Sequence, residues 1–161
     1  MWKTLAADFP DQRVINRGFG GSQMTDSVYF ADRIAIPYKP RLIVIRAGGN
    51  DLTAGKTPEQ VVEDFQAFVA TVRAKLPDVR IAVMSLNPNP ARWNQAERRQ
   101  RANQLLKAAV AAGTNLDFIE IWDAFLGPDG KPREDLFIKD GLHNNEAGYK
   151  IMAEAVRPHL K

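Results

Sequence analysis

Apolar positions along the chain follow two alternating periods. Four short runs read as β-strands: Arg13–Asn16 (RVIN), Leu42–Ile45 (LIVI), Ile81–Met84 (IAVM) and Phe118–Trp122 (FIEIW). The middle two are continuously apolar, the pattern of strands covered on both faces. Between the runs the period changes to that of helices. Thr57-Pro58-Glu59-Gln60 reads as a capping box with proline at the first helical position. Val61, Phe65, Phe68, Val69, Val72 and Leu76 then form one apolar stripe, which Pro77 ends. Ala91 to Ala112 reads as a second helix with Ala102, Leu105, Leu106, Ala109 and Val110 inward and Gly113 as its stop. A third begins after Asn144 and carries Ala147, Ile151, Met152, Ala155 and Val156. Met24 to Ile36 is a weaker helical stretch ended by Pro37.

Strands alternating with helices imply a parallel α/β sheet with right-handed crossovers. A length of 161 residues suits one domain, residues 1–161, with no repeat, linker or low-complexity segment. Composition narrows the chemistry. Without cysteine there is no disulfide, thiolate metal site or thiol nucleophile, which fits a reducing compartment such as the cytoplasm. A formal charge of +3 with interspersed acids is poor support for a nucleic-acid partner. No apolar stretch reaches the roughly 18 residues of a membrane span, and MWKTLAADFP holds no apolar signal-peptide core.

In open parallel sheets, ligands sit beyond the carboxyl ends of the strands. The segments expected there are NRGFGGSQ (Asn16–Gln23), AGGND (Ala47–Asp51), SLNPNPARW (Ser85–Trp93) and, after Asp123 and a long loop, KDGLH (Lys139–His143). Each has a plain reading. Glycines supply positive φ in a strand-to-helix turn, and Asp140 with His143 can be a surface turn before a helix. Asp-x-x-His can also offer an oxygen and a nitrogen to a metal, but the only other histidine, His159, lies on the terminal helix.

Taken together in order, NRGFGG, AGGND and DGLH resemble sequence blocks II, III and V of the SGNH (GDSL-type) hydrolases, and VMSLNPNPARW resembles the matching strand and loop of their lysophospholipase- and acetylhydrolase-like members. The resemblance covers nearly the whole chain. It implies a three-layer, flavodoxin-like fold and hydrolysis of a small-molecule carboxylic ester without a cofactor. It makes His143 the general base and Asp140 the carboxylate that orients it. Gly21 would donate its backbone N–H, and Asn50 its side-chain amide, to the developing oxyanion. Asp51 would tie down its own loop by an Asx-type bond. Trp93 would line the acyl or leaving-group pocket or pack on its rim. Arg92 reads as solvated, the run Glu97–Arg101 (ERRQR) as the wet face of a helix, and Trp2, Trp122 and Phe125 as packing residues. Leu126–Asp135 reads as a polar loop shaping the cleft mouth.

One block has no counterpart. The family's nucleophilic serine ends the first, central strand a few residues before a tryptophan; here that tryptophan would be Trp2. The sheet is therefore expected to lack its first strand. Three explanations stand: an upstream segment of the type apolar strand–Gly–(Asp/Ser)–Ser belongs to the natural product; RVIN pairs directly with LIVI or another copy donates a strand, giving a non-catalytic acyl- or glycan-binding module; or Ser22, Ser27 or Ser85 serves instead. An unpaired strand edge would favour association.

Overall fold

The sheet is built on LIVI, RIAVM and LDFI. In the computed structural model, which describes all 161 residues, these are β1 (Leu42–Ile45), β2 (Arg80–Met84) and β3 (Leu116–Ile119), parallel and adjacent in chain order. Ile43 pairs with Ile81, and Val83 with Phe118. Alternate side chains of β2 face opposite ways. Ile81 and Val83 pack with Phe65, Phe68, Val72 and Leu106; Ala82 and Met84 pack with Phe125, Met152 and Val156. The first group comes from α5 (Pro58–Arg73) and α6 (Ala96–Ala111), the second partly from α7 (Glu146–Val156). Helices therefore cover both faces, in the three-layer α/β arrangement expected. No helix is long and apolar enough to cross a membrane.

The start of α5 follows its sequence signal. Thr57 Oγ1 accepts from the Gln60 N–H at 3.2 Å, and Gln60 Oε1 accepts from the Thr57 N–H at 2.9 Å. Trp122 and Phe125 are buried, and Trp2 stacks on Tyr149 with ring centroids 5.2 Å apart.

Several elements differ from expectation. Arg13–Asn16 is not a strand. A strand needs a neighbour for its backbone groups, and β1 pairs only with β2. The segment is held instead by Val14 against the α7-side core and by Asn16, whose Nδ2 donates to the Trp2 carbonyl at 2.9 Å. Ile15 (54% exposed) and Val44 on β1 (39% exposed) are left uncovered. The last strand runs from Leu116 to Ile119, earlier than Phe118–Trp122. It stops because Glu120 turns its carboxylate onto Ser85 Oγ (2.8 Å) and the Trp122 N–H (2.9 Å). Met24–Ile36 is broken into α2 (Met24–Tyr29) and α3 (Ala31–Ile34), preceded in the chain by a single turn, α1 (Leu5–Asp8). The expected helix Ala91–Ala112 begins as a 3₁₀ turn, Pro90–Gln95, kinked at Arg92, whose φ of −132° is not helical. The glycine-rich AGGND does not stay a loop: Gly49–Thr53 forms the short helix α4.

Candidate active site

Gly48 makes the exit from β1 possible. Its φ is 110°, and a Cβ there would lie 2.8 Å from Val61 Cγ1. The chain then turns at once into α4, which carries Asn50 and Asp51 in its first turn. Asp51 is fully buried. It does not make the local Asx bond expected; both of its oxygens accept from the Met24 N–H at 3.1 Å, and Oδ1 pairs with Lys56 Nζ at 2.8 Å. It thus caps α2 across the cleft and holds the glycine loop before it. Lys56 also reaches Asp64 at 2.7 Å. Burial would lower the Lys56 pKa, but its hydrogen bonds to Asp51 and Asp64 raise it.

That anchorage sets Asn50 against the residue after Gly21. Asn50 Nδ2 donates to the Ser22 carbonyl at 3.0 Å. Gly21 has a φ of 74°, and a Cβ there would meet nothing within 4 Å, so backbone conformation rather than crowding calls for glycine. The other end of the Asn50 amide is also held: Oδ1 accepts from Arg92 Nη1 at 3.1 Å, and Arg92 Nη1 lies 3.4 Å from the Gly49 carbonyl. Arg92 is therefore half-buried and engaged, not solvated. The kink at Arg92 has a cause in sequence, since Asn89 Oδ1 accepts from the Arg92 N–H at 3.0 Å.

The DGLH turn is fixed from both sides. Asp140 Oδ1 accepts from the Leu142 and His143 N–H groups at 2.8 and 2.9 Å. Its Oδ2 lies 2.6 Å from His143 Nδ1. The backbone N–H of His143, then its ring, then the Leu142 N–H hold the Asp140 carboxyl down to a pKa of about 2. Both side chains are solvent-exposed. Gly141, at φ 62°, docks on the loop after β2: its carbonyl accepts from the Ala91 N–H at 3.0 Å, and a Cβ would lie 3.2 Å from Pro90 Cβ. Beyond His143, Asn145 caps α7 by accepting from the Gly148 N–H at 3.1 Å. Trp93 stacks on Trp122 with ring centroids 6.5 Å apart and planes inclined by 29°, and remains partly exposed.

A continuous path of contacts therefore joins the strand-end loops: His143 to Asp140, Gly141 to Ala91, Arg92 to Asn50, and Asn50 to Ser22. An imidazole whose Nδ1 faces a carboxylate leaves Nε2 free to take a proton. The Asn50 amide, with one N–H on the Ser22 carbonyl and its oxygen on Arg92, keeps a second N–H without a protein acceptor. The three serines are placed otherwise. Ser22 Oγ donates to the Phe19 carbonyl at 3.0 Å, Ser27 is buried on α2, and Ser85 Oγ lies between Glu120 and the Ile121 N–H. None hydrogen-bonds His143. His159 sits apart, with Nδ1 3.6 Å from Asp117 on the amino-terminal part of β3.

Two arginines were misread from sequence. Besides Arg92, Arg99 in the expected wet run is 3% exposed. It stands three, four and seven positions before Ala102, Asn103 and Leu106, all buried on α6, so extending that stripe backwards would have found it.

The chain is similar to known proteins in sequence and in fold. The chain is 28% identical to the platelet-activating factor acetylhydrolase IB subunit alpha1 of Pongo abelii over 167 aligned positions, covering 99% of this chain and 68% of that protein. A Streptococcus pneumoniae structure provisionally named a platelet activating factor superposes with a TM-score of 0.86 at 22% identity, covering 98% of this chain and 77% of that one. A carbohydrate esterase family 3 structure from Talaromyces cellulolyticus gives 0.75 at 18% identity, covering 99% and 88%. Residues 1–151 match the GDSL-like lipase/acylhydrolase family, and the chain belongs to that family of ester hydrolases.

Proposed function

We propose that this chain carries the base and oxyanion-binding parts of a serine esterase acting on a carboxylic ester with a short acyl group or a small polar alcohol. The observation that supports it most is the Asp140–His143 pair at 2.6 Å, docked through Gly141 on the loop whose Arg92 fixes Asn50. In this reading a serine hydroxyl attacks the ester carbonyl while His143 Nε2 takes its proton. The carbonyl oxygen becomes an oxyanion and accepts from Asn50 Nδ2 and the Gly21 N–H. Collapse expels the alkoxide, which recovers the proton from His143, leaving an acyl-enzyme. Water, deprotonated by the same imidazole, adds to the acyl carbon; the serine ester bond then breaks, the serine oxygen takes the proton back from His143, and the carboxylic acid leaves. Asp140 holds the ring and favours its cationic form. Trp93 would border the acyl or alcohol pocket. The acetyl ester in the name of the Pongo abelii relative supports a short acyl group, and the carbohydrate esterase supports a polar alcohol.

The serine in this proposal comes from a strand seated against the open edge of β1, where Val44 is exposed. Hydrolysis of p-nitrophenyl acetate tests it on residues 1–161 alone and on the same residues preceded by an apolar strand ending in Gly-Asp-Ser. The extended chain should hydrolyse the ester, and its His143→Ala variant should not. Undiminished hydrolysis by that variant would contradict a general-base role for His143. The rival reading, a non-catalytic acyl- or glycan-binding module, is favoured by the lack of any serine bonded to His143; it predicts saturable acetate or glycan binding with no turnover in either form.

A further inference from the structure

Where β1 and β2 end, three guanidinium groups share a small region with no carboxylate between them. Arg46 donates to Asn87 Oδ1. Arg99 Nη1 lies 3.4 Å from the Asn87 carbonyl and the same distance from where a Gly49 Cβ would stand. Arg92 covers Gly49 and Asn50. None of the three forms an ion pair, whereas Lys56, Arg80, Arg133 and Arg157 each do. Arg99 is 3% exposed, and its Nε and Nη2 have no hydrogen-bond partner. A buried cation with unmet donors is costly to hold without an anion nearby. Burial first, then the charges of Arg92 and Arg46, lower the Arg99 pKa to about 10.

Arg46 is the member that solvent reaches. Its one protein acceptor is Asn87, which leaves its other N–H donors without a protein partner. We propose that this arginine cluster binds an anionic group, a carboxylate or a phosphate, on Arg46, with Arg99 and Arg92 keeping the surrounding field positive. The anion is either a substituent of the ester substrate or a free small acid. Only the first alternative rests on the esterase reading.

Titration of the isotope-labelled chain with inorganic phosphate, followed by the arginine Nε–H signals, tests the site without any turnover. Saturable binding should shift Arg46, and Arg46→Gln and Arg99→Met should each weaken it by about tenfold, the scale of one charge-assisted contact. Arg99→Met removes a buried charge; should it unfold, Arg46→Gln on the strand edge decides alone. Monomethyl succinate and methyl acetate separate the two sources: if the anionic ester also shifts the Asn50 side-chain amide, the anion belongs to the substrate, and if it shifts Arg46 alone, the site takes a free acid. No saturable phosphate binding, or binding unchanged in Arg46→Gln, overturns the proposal. An inactive esterase that still binds phosphate leaves this site standing.

Discussion

Arg92 donates to the side-chain oxygen of Asn50 at 3.1 Å while Asn50 Nδ2 donates to the Ser22 carbonyl at 3.0 Å, so the orientation of that amide is fixed at both ends. An oxyanion donor must present nitrogen, not oxygen, before the reaction begins, because reorientation during the reaction would cost part of what the bond contributes. Arg92→Gln should therefore leave the fold intact but lower kcat by roughly tenfold, with KM little changed, the worth of one weakened charge-assisted bond. Broadened or split Asn50 amide signals in the variant would report the freed side chain.

Asn50→Ala removes the proposed oxyanion donor itself. Loss of one oxyanion donor costs about 3 kcal/mol in the transition state, or a hundredfold or more in kcat. Steady-state kinetics of the serine-bearing protein should show that loss in kcat, with Tm nearly unchanged since Asn50 is only half-buried.

Asp51 is the structural counterpart of Asn50. Asp51→Ala would strand the Met24 N–H and take one of two carboxylates from Lys56. Losing hydrogen bonds to a buried carboxylate costs about 2 kcal/mol, seen as a lowered urea midpoint. Unchanged stability would mean that the Gly20–Gly21 loop is held by other contacts.

Asp140 gives the molecule an acid-sensitive contribution. Its folded pKa, about 2, lies below the ordinary aspartate value, near 4. The sign follows: the carboxylate's hydrogen bonds stabilise the fold fully above the ordinary value, and that contribution fades as pH falls from about 4 towards about 2. Asp140→Asn should flatten stability over that window, measured by denaturation at each pH.

Gly141→Ala should misplace the whole turn. Alanine is strained at φ 62°, and its Cβ would press on Pro90 at 3.2 Å. A destabilisation of about 1–2 kcal/mol is expected, together with a fall in activity larger than that of a distant variant with the same Tm.

The layers of this fold were readable where side chains alone decide the outcome. IAVM is apolar on both faces because both faces are covered, LIVI is covered except at Val44, and the box at Thr57 closes within four residues. RVIN failed because a strand is a relation between two chains of backbone groups, and its own residues do not say whether a neighbour is present. The early end of β3 depended on Glu120 reaching Ser85, a contact between strands distant in sequence. Asp140, His143, Gly21 and Asn50 stood out in short motifs; Asn50 lies just past β1, and Asp140 and His143 in the turn before α7. Arg92 and Arg99 were not, since charge suggested solvent; only the helical stripe through Ala102 and Leu106 marked Arg99 as inward.

The central claim is that His143 and the donors Asn50 and Gly21 serve one reacting atom. A crystal structure of the serine-bearing protein after treatment with a serine-reactive phosphonate tests it directly. The account predicts a covalent adduct whose phosphoryl oxygen lies about 3 Å from both Asn50 Nδ2 and the Gly21 nitrogen, with His143 Nε2 beside the serine oxygen. No labelling, or a phosphoryl oxygen bound elsewhere with His143 turned away, would contradict it.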